Sequence, residues 1–390
     1  MKNLIFVLPL AVALTVSGQG FRSEPLANPS AAGSIQPNWS ASADGGALLS
    51  WLEPGKDGEY SLRYALRKGP AWSEARTVIA GRHFFRHPAE APEVIQVSGK
   101  FWLAHWVEMP KESSDAEYIY VSSSVDGTHW SAPLMANRDR SEVQHGLVSM
   151  AASGPGEVSL FWLETPKGDD GPGYLMHTVV DASGKAVKEE RLDDDVCDCC
   201  PTAVARTAKG LIVAYRDHTP DNIRDIAVLR LENGSWSPSK IVHADYWRLD
   251  ACPVNAASVA AKGDHVALAW FTGVEPAKVQ VIFSDDGGTT LGKPIVVSTG
   301  AGTQGPALGN TSLALADDGG AIISWLERTA GGDARLLVRE VSAAGVAGPA
   351  AKIAEGGKTP FGYPRVFHSA SGTFIAWGGG GKLETAQLRK

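Results

Sequence analysis

The sequence predicts an all-β protein folded as a β-propeller, a ring of seven four-stranded blades with six as the alternative count. Three observations carry that expectation: an apolar strand ending in an aromatic residue recurs along the chain, a hairpin signal precedes each copy, and the composition suits short strands joined by tight turns. The recurring segments are ALLSW to Trp51, FWLAHW to Trp106, VSLFW to Trp162, LIVAY to Tyr215, VALAW to Trp270, AIISW to Trp325 and TFIAW to Trp377, spaced 52 to 56 residues apart. A ring of sheets needs large apolar side chains between its blades, so these aromatics are assigned to blade packing. The 43 Gly, 23 Pro and 12 Trp fit many turns and strands better than helices.

Within a unit, turns such as SASADGG, QVSGK, AASGPGE and ALADDGG mark a hairpin between the first two strands. A third strand follows, then a fourth beginning near Trp-Ser or its equivalent: AWSEARTVI, HWSAPLM, SWSPSKIV and LGKPIVV. The seventh unit stops after KLETAQLR with no fourth strand, whereas FRSEPLAN at 21–28 is similar to HWSAPLMAN at 129–137. The N-terminal segment is therefore expected to supply the outer strand of the last blade, closing the ring and covering an open edge.

Ahead of that segment, Lys2, the apolar run Leu4 to Val16 and the small residues Ser17 and Gly18 read as a secretory signal peptide. Cleavage near Gly18 would leave 19–390 as one propeller domain in a secreted or periplasmic protein. No later stretch offers the roughly 20 apolar residues of a membrane helix, so no transmembrane segment is expected. With 36 basic against 43 acidic residues and a net charge of -7, the chain lacks the footprint of a nucleic-acid partner.

Two turns before a fourth strand carry a Ser-x-Asp-x-Gly-x-Thr-Trp pattern. Ser284, Asp286, Gly288 and Thr290 match with Leu291 in place of the aromatic, and Ser124, Asp126, Gly127 and Trp130 match a form one residue shorter. With the blade rhythm, these turns resemble the bacterial Asp-box (BNR-repeat) proteins of the sialidase-like superfamily. The stretch holding CDCCPTAVA, YRDHTPDNIRDI and ACPVNAAS, between Cys197 and Thr272, resembles a subgroup of them with a CxCCP motif. Such turns specify fold and say little about chemistry.

Blade geometry puts the loops entering each first strand on the face opposite these turns, around the channel mouth. Aligning the first strands places Gln36, Ala91, His145, Cys200, Cys252, Gly309 and Tyr363 at equivalent positions, so Cys200 and Cys252 are expected to stand alike in neighbouring blades. Nearby loops add an acidic run, Asp193 to Asp195, and Asp198.

The resemblance implies exo-α-sialidase-like glycoside hydrolysis: arginines gripping a carboxylate, a glutamate-activated tyrosine nucleophile and a carboxylic acid for the leaving group. Phe85, Arg86, His87 and Pro88 match the family's first-arginine motif except at His87, and the spacing to the next strand is longer than that motif allows. Arg365 suits a later arginine, with Arg216, Arg224 or Arg248 as the third, Tyr363 or Tyr246 as nucleophile, Glu93 as its base and Asp217 as acid. Arg224, Asp225, Tyr246, Trp247 and Arg248 would line a site for a carbohydrate or other small-molecule ligand.

The cysteines support a competing reading, a non-catalytic propeller. All four, Cys197, Cys199, Cys200 and Cys252, fall within one quarter of the ring. In an exported chain they would pair as disulfides or, with His145, offer thiolates and an imidazole to copper or zinc.

Overall fold

The computed structural model describes residues 20–111, 116–169, 173–299, 309–357, 361–379 and 381–390. The signal peptide expected at 1–18 lies outside them. Seven antiparallel sheets surround a central axis, and no helix occurs among the described residues. Among the described residues, none forms a helix long and apolar enough to cross a membrane. The blade count is seven, not six.

The innermost strands are Ile35–Ala41, Glu93–Ser98, Gln144–Gly154, Ala203–Arg206, Ser258–Lys262, Gly309–Leu315 and Arg365–Ser369. Next in each sheet comes the apolar segment of the repeat, as in Ala47–Pro54 and Phe101–Glu108. These second strands are buried on both faces because the neighbouring blades cover both. That explains why they read as continuous apolar runs and not as alternating ones. Trp51, Trp106, Trp162, Trp270 and Trp325 are among the largest fully buried side chains.

Burying an indole leaves its N–H to be satisfied, and most blades do so with a carboxylate. Trp51 donates to Glu53 at 3.0 Å, Trp106 to Glu108 at 2.6 Å, Trp325 to Glu327 at 2.7 Å and Trp270 to Asp245 at 2.7 Å. The Trp162 indole N–H has no such partner.

Ring closure follows the expectation from the seventh unit. Arg22–Pro25 pairs antiparallel with Lys382–Arg389, in register from Arg22 opposite Arg389 to Pro25 opposite Ala386. Just beyond, the Leu26 N–H reaches the Thr385 carbonyl at 2.9 Å, and the Asn28 amide donates to the Leu383 carbonyl at 3.1 Å.

The two Ser-x-Asp turns are self-contained. Ser284 Oγ accepts the Gly288 N–H at 2.9 Å and donates to Asp286 at 2.8 Å, while Asp286 Oδ1 accepts the Thr290 N–H at 2.8 Å. Ser124 and Asp126 repeat the scheme with Gly127 and Thr128. Their polar atoms are consumed in holding the turn.

Candidate functional site

On the opposite face, a belt of side chains ties five of the incoming strands to the next blade. Gln36 donates to the Phe85, His87 and Glu90 carbonyls. Glu90 Oε2 accepts the Leu147 N–H at 2.5 Å and the Val148 N–H at 3.3 Å. Cys200 Sγ accepts the Asn255 N–H at 3.3 Å, Asn255 Oδ1 accepts the Asn310 N–H at 2.7 Å, and Asn310 Nδ2 donates to the Gly362 carbonyl at 3.1 Å. Gly309 is required beside this belt: its φ is +75°, and a Cβ there would lie 2.0 Å from Asn255 Oδ1.

The belt corrects the strand alignment. Asn255, not Cys252, stands in the fifth blade where Cys200 stands in the fourth. Cys200 precedes its strand by three residues and Cys252 by six, the longer approach passing through Val254 at a φ of +47°. Cys252 is exposed and lies beside Cys199 and Asp198.

Cys197, Cys199 and Cys200 converge. Their sulfurs are 3.7 Å (197 to 199), 3.5 Å (197 to 200) and 4.0 Å (199 to 200) apart, and all four thiols are free. The close contacts with Cys199 and Cys200 hold the Cys197 pKa down, with Arg224 and Arg216 assisting. Burial pushes Cys200 up to about 12. The triad adjoins a 360 Å³ cavity lined by Cys199, Cys252, Asp198, Glu117 and His87.

His145, expected with these thiols, faces elsewhere. Its ring is buried, with Nδ1 2.8 Å from the Glu117 carbonyl and Nε2 3.5 Å from Glu164. The reason is register: His145 is the direct cross-strand neighbour of Glu164, whereas the thiols belong to the next blade entry.

Of the groups set out for hydrolysis, Arg365, Glu93 and Tyr363 come together, the Arg365 guanidinium 5.9 Å from the Tyr363 ring centroid and within electrostatic reach of Glu93, while the others are dispersed. Arg365 and Glu93 line a 450 Å³ channel with Asn38, open toward the ends of the first strands on the Ser-x-Asp face. Burial raises Glu93 to about 8 against the opposing pull of Arg365. An apolar plug of Ala89, Ala256 and Tyr363, flanked by Leu147 and Val254, sits at the other end. The Tyr363 hydroxyl donates to the Val254 carbonyl, and burial holds its pKa well above the usual tyrosine range.

Arg86 lies over the Tyr60 ring, 4.9 Å from its centroid, and lines a separate 650 Å³ cavity with Phe361, Tyr363, Lys382 and several glycines. Arg216 is buried and spends its guanidinium on the Asn255, Arg224 and Phe271 carbonyls, stacked 4.9 Å from Trp247. Asp225 accepts the Tyr246 and Trp247 N–H groups at 3.0 and 3.1 Å. Arg224 Nε reaches the Leu249 carbonyl at 3.3 Å, and Arg248 lies 3.6 Å from Asp221. Tyr246 is exposed. Asp217 stands apart, pushed up to about 7 by burial and by Asp193 and Asp195.

Sequence reasoning missed Glu90, Asn255 and Asn310, whose signal is a polar residue recurring at multiples of about 55 positions near the start of the first strand. It also missed Asp139 and Glu164, the latter legible from the Trp-x-Glu repeat at Trp51, Trp106, Trp162 and Trp325.

No protein-family model matches the chain. No curated protein matches it. Among solved structures, a polysaccharide lyase, the PL25 ulvan lyase, superposes with a TM-score of 0.56 at 11% identity, covering 95% of this chain and 98% of that one. The α-L-arabinanase of Penicillium chrysogenum gives a TM-score of 0.50 at 12% identity over 95% and 98%. The Hadza microbial sialidase Hz136 gives 0.44 at 14% identity, and the alignment covers 76% of this chain and 64% of that enzyme. At these identities the likeness concerns the fold.

Proposed function

We propose that this propeller binds a thiophilic ion, copper(I) or zinc, through Cys197, Cys199 and Cys200, with Cys252 at the mouth of the site. The carrying observation is the spacing of three free thiols, 3.5 to 4.0 Å between sulfurs. Metal–sulfur bonds of about 2.3 Å in a tetrahedron separate the sulfurs by about 3.8 Å. Arg216 and Arg224 favour the thiolate form, and Asp198 with the acidic run Asp193 to Asp195 favours cation approach. The reading includes export by the leader at 1–18, because free thiols clustered in an oxidising compartment persist when a metal holds them.

The test is anaerobic titration of the full chain with copper(I), with mass spectrometry of the non-reduced protein. One ion per chain, lost in Cys199→Ser, is expected. A Cys197–Cys200 disulfide, or no retained metal, overturns the reading.

The glycine-rimmed cavity beside Arg86 favours a second reading, a carbohydrate site. Arg86 and Lys382 suit an acidic sugar, Phe361 offers an apolar surface, and the ulvan lyase and arabinanase share this architecture. Exo-sialidase hydrolysis, its finer form, gains nothing from Tyr363, whose hydroxyl is bound to a backbone carbonyl. Calorimetry with uronic-acid and sialic-acid oligosaccharides tests it: Arg86→Ala should weaken binding at least tenfold, and no heat with either class would refute it.

A further inference from the structure

The third blade uses its Trp-x-Glu pair differently from the others. Glu53, Glu108 and Glu327 each accept the indole N–H two residues earlier. Glu164 holds the same place after Trp162 and is buried, yet that indole, although close enough to influence the carboxyl, is outside hydrogen-bonding geometry. The Glu164 carboxylate lies 3.5 Å from His145 Nε2 instead, and Asp139 Oδ2, from the loop entering the blade, lies 4.0 Å from the same nitrogen.

The tautomer of His145 follows from its surroundings. Nδ1 sits 2.8 Å from the Glu117 carbonyl and 3.1 Å from the Val143 carbonyl, so it carries the proton and donates. Nε2 then presents a lone pair; it is fully buried and has no hydrogen-bond partner. A lone pair facing two carboxylates calls for a proton or a cation between them. The supports also match those of a metal ligand set. A backbone carbonyl orients the imidazole, and Ser141 fixes Asp139 with its N–H on Oδ1 at 2.8 Å and its hydroxyl on Oδ2 at 2.7 Å. The Tyr118 ring stacks on the imidazole, 5.8 Å between centroids. Arg191, two strands away from Glu164, lies over the Tyr174 ring and 3.0 Å from Asp194, and its charge reaches the Glu164 carboxyl without pairing with it.

We propose that Asp139, His145 and Glu164 form a site for a first-row divalent cation, zinc fitting best, separate from the thiols. Nitrogen and oxygen ligands at about 2.1 Å in a tetrahedron stand about 3.4 Å apart, close to the 3.5 and 4.0 Å separations here. The imidazole selects against calcium and magnesium, which prefer all-oxygen shells. Three protein ligands leave a fourth position, and the partly exposed Asp139 side chain opens it to solvent.

The background for the test is the full chain carrying Cys197→Ser, Cys199→Ser and Cys200→Ser, its melting curve compared with wild type. Titration with zinc chloride should show one ion per chain, and cobalt(II) should give ligand-field absorption without sulfur charge transfer. Adding Asp139→Asn or Glu164→Gln should weaken zinc at least tenfold, and Ser141→Ala by about tenfold, the low end for outer-shell changes. A folded background that binds no zinc, or zinc binding indifferent to Asp139→Asn and Glu164→Gln, overturns the proposal. If the background does not fold, wild type should bind two zinc ions and the Asp139→Asn variant one fewer; equal counts overturn it. Because the thiols are absent from the background or unchanged in the pair compared, this site fails or stands apart from the thiol reading.

Discussion

The two faces of the ring use polar groups in opposite ways. On one, Ser284 and Asp286, like Ser124 and Asp126, exhaust their hydrogen bonds inside a single turn. On the other, the thiols of Cys197, Cys199 and Cys200 find only one another or a neighbouring N–H, and His145 Nε2 has no partner. Both faces belong to the same seven sheets, so the difference comes from the loops. A turn closed on itself contributes to stability, while converging donors left open are available to a ligand.

The largest expected effect comes from breaking the ring that both faces share. Deleting residues through Ser30 removes the strand Arg22–Pro25 and the Leu26 and Asn28 bonds to the last blade. At about 1 kcal/mol per lost hydrogen bond, roughly 3 kcal/mol or more of stability should disappear. An unchanged melting temperature would show that the seam does not matter.

Substitutions confined to one face sharpen the contrast. Ser284→Ala leaves the buried Gly288 N–H unsatisfied and should cost about 1 to 3 kcal/mol in denaturant unfolding, with copper(I) stoichiometry unchanged. Cys199→Ser should do the reverse, leaving stability within about 0.5 kcal/mol while abolishing copper(I) retention. A Ser284→Ala chain that loses copper would end the division between faces.

The smallest effect concerns the channel. Glu93 titrates near 8 in the fold against 4.5 as its ordinary value, burial being the main cause. Between those values the folded chain keeps a proton that the unfolded chain has released, so stability falls as pH rises through that window. Glu93→Gln should flatten the slope of stability between about pH 5 and 8; a slope identical to wild type would show that the carboxyl is ionised throughout.

Much of this was legible in the chain itself. The aromatic period set the blade count because a second strand covered on both faces must be apolar throughout, and the likeness of 21–28 to an outer strand located the seam. The CxCC spacing brought three thiols together, since residues so near in sequence have little freedom to separate. Other features depend on loop path. Three extra residues before the fifth inner strand moved Cys252 out of line with Cys200, and a cross-strand register turned His145 toward Glu164. The arginines have different surroundings: backbone carbonyls for Arg216, the Tyr60 face for Arg86, and for Arg365 the channel beside Glu93 and Tyr363.

The seam also dictates an order of events during folding. Arg22 pairs with Arg389, so the strand Arg22–Pro25 must wait for the last hairpin before the fold can use it. Until the C-terminal hairpin emerges, six blades can form their own sheets while the seventh does not exist, and residues 22–25 stay an unpaired edge. Pairing across so long a stretch of chain is slow to find, which makes ring completion the step at which a nascent chain is most exposed to pairing with a second copy.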